Sequence, residues 1–168
     1  MLNTYDHPDA EVLAASVADV IDPITQLIST ARQRDDVELL YVNDNRGDFS
    51  AGRDDLVDAA LHGRRPDLVE PIVPGADCPF LTKVRHSAFY ATPLDYLLSR
   101  LDIGRIVLAG QVTEQCILYS ALDGYIRHLD VVVPPDAVAP IFPELGEAAL
   151  KMMQRNMGAD LISVEKCL

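Results

Sequence analysis

Apolar residues recur at Val12, Leu13, Val17, Val20, Ile21, Ile24, Leu27 and Ile28. That is the three- and four-residue spacing of one helical face, and it predicts a helix from Glu11 to Arg34. Pro23 lies inside it and is expected to kink the helix or divide it in two. Val37 to Val42 is dense in apolar residues, as a strand buried on both faces is. The pattern then lapses. From Asn43 to Pro79 the chain is rich in Gly, Pro and Asp, with one short helix expected around Asp54 to His62 and a short extended piece at Val69 to Val73. So long a connection is commonly part of a binding site or lid.

Regular patterning resumes with a strand at Phe80 to Val84. Thr92 as N-cap and Pro93 at the first helical position open a helix carrying Leu94, Leu97, Leu98 and Leu101 on one face. The run Ile106 to Ala109 reads as a strand that breaks at Gly110. A helical pattern opens at Thr113, a plausible N-cap, with Glu114 suited to the first turn. Leu118, Ala121, Leu122 and Tyr125 form its apolar stripe. A strand at Val131 to Val133 follows, then a helix from about Glu144 to Met157 with Gly158 as its C′ residue, and a last strand at Leu161 to Val164.

Strand and helix alternate with short connections, so the expectation is a doubly wound, mostly parallel α/β sheet with helices on both faces, in three layers. The 168 residues fit one domain spanning residues 1–168. The chain opens with a loop and a helix instead of the strand that usually begins such a fold.

Composition narrows the function classes. The net charge of −12, from 14 basic and 26 acidic residues, argues against nucleic acid or an anionic membrane as a partner, since both call for a basic face. No apolar run approaches the ~18 residues of a membrane span. Three cysteines without paired spacing fit a reducing cytoplasm better than a disulfide framework. Phosphate-cradling glycine motifs, the G-x-S-x-G elbow, H-E-x-x-H and C-x-x-C are all absent. His7, His62, His86 and His128 are scattered, and Asp44-Asn-Arg-Gly-Asp48 reads as a solvated turn with Asx capping.

Two residues carry candidate chemistry. Cys116 falls on the opening turn of a helix directly after a strand, where free N–H groups stabilise a thiolate. That is also the edge of an α/β sheet where ligands bind. A buried, space-filling cysteine is an equally weighted reading from position alone. Cys78 and Cys167 have no such setting. Lys83 ends a strand on the same sheet edge, and a lysine beside a thiolate stabilises it.

Lys83-Val-Arg-His-Ser-Ala-Phe-Tyr90, Gly110-Gln-Val-Thr-Glu-Gln-Cys116 and Ala121-Leu-Asp-Gly-Tyr125 together resemble the isochorismatase-like cysteine hydrolases, among them nicotinamidases and carbamoylsarcosine amidase. The resemblance covers nearly the whole chain. It implies a doubly wound α/β fold, Cys116 as nucleophile and Lys83 as catalytic lysine. It also implies a cis peptide at Gln111–Val112, which would aim the Val112 N–H, with that of Cys116, at the oxyanion of a tetrahedral intermediate.

The implied reaction cleaves the C–N bond of a small-molecule amide through a thioester, with no cofactor, in a homo-oligomer (dimer or tetramer). The family's metal-using branch places histidines where this chain has Asn45, Arg46 and Gly47, so no zinc or iron is expected. Met1-Leu-Asn-Thr-Tyr5 resembles the part of the family's first strand segment that follows its catalytic aspartate. On that alignment the first strand and the general base are missing from this chain. The alternatives are hydrolysis of an isochorismate-type vinyl ether, which proceeds without the cysteine, and a catalytically dead relative acting as a binding module.

Overall fold

The computed structural model describes residues 1–168. Helix α1 spans Ala10–Arg32, and its buried positions Leu13, Val17, Val20, Ile24 and Leu27 fall three and four apart, so one face is apolar along its length. Pro23 does not divide it. Proline removes one hydrogen bond of the helical ladder, but Val20 and Ile24, buried on either side, hold both halves against the same core. By length and apolarity α1 could cross a membrane. Here that apolar face packs with Leu2, Tyr5, Leu68 and Ile72 at the centre of the larger hydrophobic cluster.

Strand β1, Tyr41–Asp44, pairs in parallel with β2, Phe80–Lys83, in a register that sets Asp44 opposite Lys83. It lies further along the chain than the expected Val37–Val42. The partner decides this: the ladder begins where Tyr41 N–H donates to Pro79 O at 3.0 Å. Between β1 and β2 come helix α2, Arg53–Leu61, and two 3-10 turns, Pro66–Leu68 and Glu70–Ile72. The second turn replaces the extended piece expected at Val69–Val73. Pro71 fixes a helical φ, and the tight turn buries Val69 and Ile72. The Arg53 guanidinium donates to the carbonyls of Pro74, Gly75 and Ala76, tying this long connection back to α2.

Helix α3, Leu94–Arg100, starts after Pro93, with Thr92 Oγ1 accepting the Leu94 N–H at 3.3 Å. Strand β3, Arg105–Val107, pairs in parallel with β5, Asp130–Val132, and β4, Gly110–Gln111, with β6, Val138–Ala139. A π turn, Thr113–Ile117, leads into helix α4, Leu118–Ile126. The expected α4 stripe is not the buried one. Ile117, Ser120, Ala121 and Gly124 face the core, while Leu122 and Tyr125 are exposed. Small residues let α4 lie close on the sheet: a Cβ at Gly124 would fall 2.8 Å from Ile106 Cδ1 and 3.1 Å from Val131 Cγ2.

Helix α5, Pro143–Met157, ends at Gly158 with φ of +68°, the left-handed C′ geometry that glycine adopts without strain. No strand forms at Leu161–Val164. Asp160 alone bridges Val132, and the chain then turns so that Val164 N–H donates to the Asp136 carboxylate at 3.1 Å. Every strand pair is parallel and the crossovers carry helices, which is the α/β architecture expected of the alternation.

Two tyrosines, Tyr5 buried and Tyr41 half-buried, give this packing a titration signature. Tyr41 Oη donates to Ile72 O at 2.8 Å. Burial pushes the phenols of Tyr41 and Tyr5 up to about 12. Folding therefore favours their neutral form, so the stabilisation is complete below the unfolded value of about 10 and is lost as pH rises towards 12. The denaturant midpoint should fall across that window. Tyr41→Phe should cost about 1 kcal/mol near neutrality by deleting one hydrogen bond, and should make the alkaline fall shallower. An unchanged midpoint from pH 10 to 12 would contradict the desolvation of these two phenols.

Candidate active site

The carboxyl ends of β1 and β2 and the turn after β4 meet at one end of the sheet. Lys83 closes β2 with its side chain only 6% exposed. Its Nζ lies 3.1 Å from Asp44 Oδ2 and 3.4 Å from Cys116 Sγ. A nearly dehydrated ammonium thus sits between a carboxylate and a thiol sulfur.

Local sequence explains why these three meet. The parallel register puts Asp44 directly beside Lys83. The segment after β2 is then fastened to α4. Ser87 Oγ donates to Asp123 Oδ2 at 2.5 Å, Ala88 N–H donates to Ser120 Oγ at 2.9 Å, and the Arg127 guanidinium stacks 4.7 Å above the Phe89 ring. These contacts bring the start of α4, and Cys116 just before it, to the end of β2.

Cys116 lies within the π turn Thr113–Ile117. Thr113 is not the N-cap. It is 1% exposed and its hydroxyl has no hydrogen-bond partner, and Val112 occupies the cap position instead. Glu114 does not serve its own helix either. Its Oε1 accepts the N–H groups of Ile141 and Phe142 at 2.9 and 3.0 Å, directly ahead of α5. The peptide between Gln111 and Val112 is cis, and the Val112 N–H donates to no backbone carbonyl.

Asp44 is the site residue that local pattern missed. Its Oδ1 accepts the Arg46 N–H at 2.8 Å, the Asx turn read from the sequence, while its Oδ2 engages Lys83. The only signal available was an acid ending the strand next to the one that Lys83 ends. Asn43 and Asn45 on either side are buried. Asn43 fixes the N-terminal segment, its Oδ1 accepting the Met1 amine at 3.1 Å and the Leu2 N–H at 3.0 Å.

The other cysteines stand apart from this group. Burial pushes the Cys78 thiol up, and it does the same to Cys167. The cavity that holds Cys116, Lys83 and Asp44 has a volume of about 1020 Å³ and is also lined by His86, Gln111 and Val112. The His86 ring packs 5.4 Å from that of Tyr119. No group of three His, Cys, Asp or Glu side chains is placed to hold a metal ion.

Residues 4–166 match the isochorismatase domain family. The chain is 30% identical over 168 residues to YaaI of Bacillus subtilis, an uncharacterized isochorismatase family protein, covering 100% of this chain and 92% of that one. Among solved structures it resembles N-carbamoylsarcosine amidase from Thermoplasma acidophilum, with a TM-score of 0.70, 26% identity and coverage of 90% and 86% of the two chains. It shares its fold with the nicotinamidase SaPncA of Staphylococcus aureus, with a TM-score of 0.67, 24% identity and coverage of 86% and 82%. The chain belongs to the isochorismatase-like cysteine hydrolases.

Proposed function

We propose that this hydrolase cleaves the C–N bond of a small amide through a thioester on Cys116. The observation that carries the reading is the Lys83 ammonium 3.4 Å from the Cys116 sulfur at a cavity wall. A cation at that distance stabilises the thiolate, the form that attacks carbonyl carbon. The kinship with N-carbamoylsarcosine amidase supports an amide as the electrophile. The cysteine itself speaks against a vinyl ether, whose hydrolysis does not use one.

In this mechanism the Cys116 sulfur adds to the carbonyl carbon and the oxygen becomes an oxyanion facing the N–H groups of Val112 and Cys116. Oxyanion donors of this type are worth roughly 10²–10³ in rate. The C–N bond then breaks, the nitrogen leaves with the proton that the Cys116 thiol gave up, and the thioester remains. Water adds to the thioester and releases the acid and the thiol. The Lys83–Asp44 pair is the charged group within reach of the sulfur, so proton movement at this centre passes beside it. Asp44 acts as a positioning residue, holding the ammonium over the sulfur.

Brief iodoacetamide treatment followed by peptide mapping should label Cys116 well before Cys78 and Cys167, whose thiols are raised by burial. Incubation with a panel of small primary amides and carbamoyl compounds should release ammonia, and acid quenching should trap an acyl adduct on the Cys116 peptide. Cys116→Ala should abolish both. Slower labelling of Cys116 than of Cys78 in the native protein would exclude it as an activated nucleophile.

The ion pair makes a separable prediction. Asp44→Ala leaves a buried ammonium without its carboxylate and should cost about 1–3 kcal/mol of stability, reduced from the fully buried case because Asp44 is 39% exposed. Adding Lys83→Met should recover part of that stability, since the unpaired charge is gone, yet leave Cys116 labelling slow. Parallel recovery of stability and labelling would show that Lys83 serves packing alone.

A further inference from the structure

Cys116 is carried by a turn that is tied to α5 at two points. Ile117 packs with Ala149 and Met153 of that helix in the smaller hydrophobic cluster. Three residues before it, Glu114 Oε1 accepts the N–H groups of Ile141 and Phe142 at 2.9 and 3.0 Å. The sulfur lies between these ties in sequence, and its own contact is with Lys83. Of the five side chains in Thr113–Ile117, those of Glu114 and Cys116 alone hydrogen-bond outside the turn. The Thr113 hydroxyl has no partner. The Gln115 and Ile117 N–H groups are bonded locally, both to Val112 O at 3.1 Å.

The start of α5 accounts for the acid. Phe142 holds the N-cap position, and its side chain makes no capping hydrogen bond. Phenylalanine has no oxygen to accept an N–H, and Pro143 at the first helical position has no N–H to donate. The carboxylate at this end comes from Glu114, where the helix dipole favours negative charge. Hydrogen bonds to a carboxylate are roughly twice as strong as neutral ones. Both rest on Oε1, because Oε2 is buried without a partner. Gln115, Cys116 and Ile117 line the cavity and Glu114 does not, so its carboxylate is not in contact with a molecule bound there.

We propose that Glu114 is a positioning residue for the Cys116 sulfur. By bonding the backbone ahead of α5 it fixes the turn at the distance from Lys83 at which the ammonium stabilises the thiolate. The inference rests on the reading of Cys116 as the nucleophile. Attraction between charges falls steeply at this range. With Nζ and Sγ 3.4 Å apart, a drift of about 1.5 Å lowers the thiolate population on the order of tenfold at an effective dielectric constant of about 20. Ile117 alone does not prevent such a drift, because apolar packing is non-directional. Two hydrogen bonds from one oxygen to consecutive N–H groups are directional, and they set how far the turn stands from α5.

Alkylation rates of the three thiols test this, because misplacement and general loosening move them in opposite directions. Near neutral pH, Glu114→Ala should slow iodoacetamide labelling of Cys116 about tenfold and leave Cys78 and Cys167 unchanged. A merely structural loss would instead open the fold and speed labelling of Cys78 and Cys167. Glu114→Gln, whose amide oxygen can accept the same two N–H groups, should restore Cys116 to within about threefold of the unsubstituted protein. Glu114→Asp keeps the charge but is one methylene short, and should remain slow. If the alanine variant does not fold, the contrast between glutamine and aspartate decides the question alone. Unslowed Cys116 labelling in Glu114→Ala, or faster labelling of Cys78 and Cys167 with it, would overturn the proposal. So would rescue by aspartate and not by glutamine, which would assign the effect to charge. Labelling of Cys116 no faster than Cys78 in the unsubstituted protein is a different failure, since it removes the nucleophile reading itself.

Discussion

A lysine ammonium removed from water costs several kcal/mol unless its charge is matched, and Lys83, its side chain 6% exposed, has the Asp44 carboxylate as counter-charge. Asp44 reaches it along the β1–β2 register and Cys116 from the turn that opens α4. Each of those partners is delivered by a different part of the fold. The register of one ladder, the fastening of the post-β2 segment to α4 through Ser87, Ala88 and Phe89, and the cis turn before Cys116 all converge on one nitrogen atom. A one-residue shift of the β1–β2 register leaves the Lys83 charge without its carboxylate, and a shift of the segment before α4 removes the sulfur from beside it. The site is therefore a structural constraint on the sheet edge, whatever chemistry it carries.

Close approach is the second requirement, and small side chains provide it. Gly124 lets α4 lie on Ile106 and Val131. Ser120 and Ala121 are buried on the same side, and Ser120 supplies a hydroxyl to the Ala88 N–H. The consequence for chemistry is direct. The helix that follows Cys116 is held by packing over its first two turns, so the sulfur is carried on a fixed element and not on a loose loop.

Much of this was legible in the chain itself. Alternating strand and helix patterns specify a parallel α/β sheet because a parallel connection needs a crossover, and the helices supply it. Lys83, Cys116 and the Gln111–Val112 peptide stood out through their place in two motifs. Asp44 did not, because its Asx turn with Arg46 accounts for it locally, and its second bond depends on a register that only the folded sheet defines. The same limit explains the other departures. The apolar stripe of α4 looks like a core face in Leu118, Ala121, Leu122 and Tyr125, yet periodicity cannot tell a buried stripe from an exposed one beside it. Val138–Ala139 is too short, and too near Pro134 and Pro140, to declare itself as a strand. Val69–Val73 carries β-branched residues, but Pro71 and the burial of Ile72 favour a tight turn.

Asp44 joins two levels of this structure. It is the last residue of β1, so its backbone is placed by the ladder with β2, while its carboxylate holds Lys83. Its Oδ1 also accepts the Arg46 N–H at 2.8 Å, which fixes the turn by which the chain leaves the strand. One side chain thus sets both the exit from β1 and the position of the ammonium that lies 3.4 Å from the Cys116 sulfur.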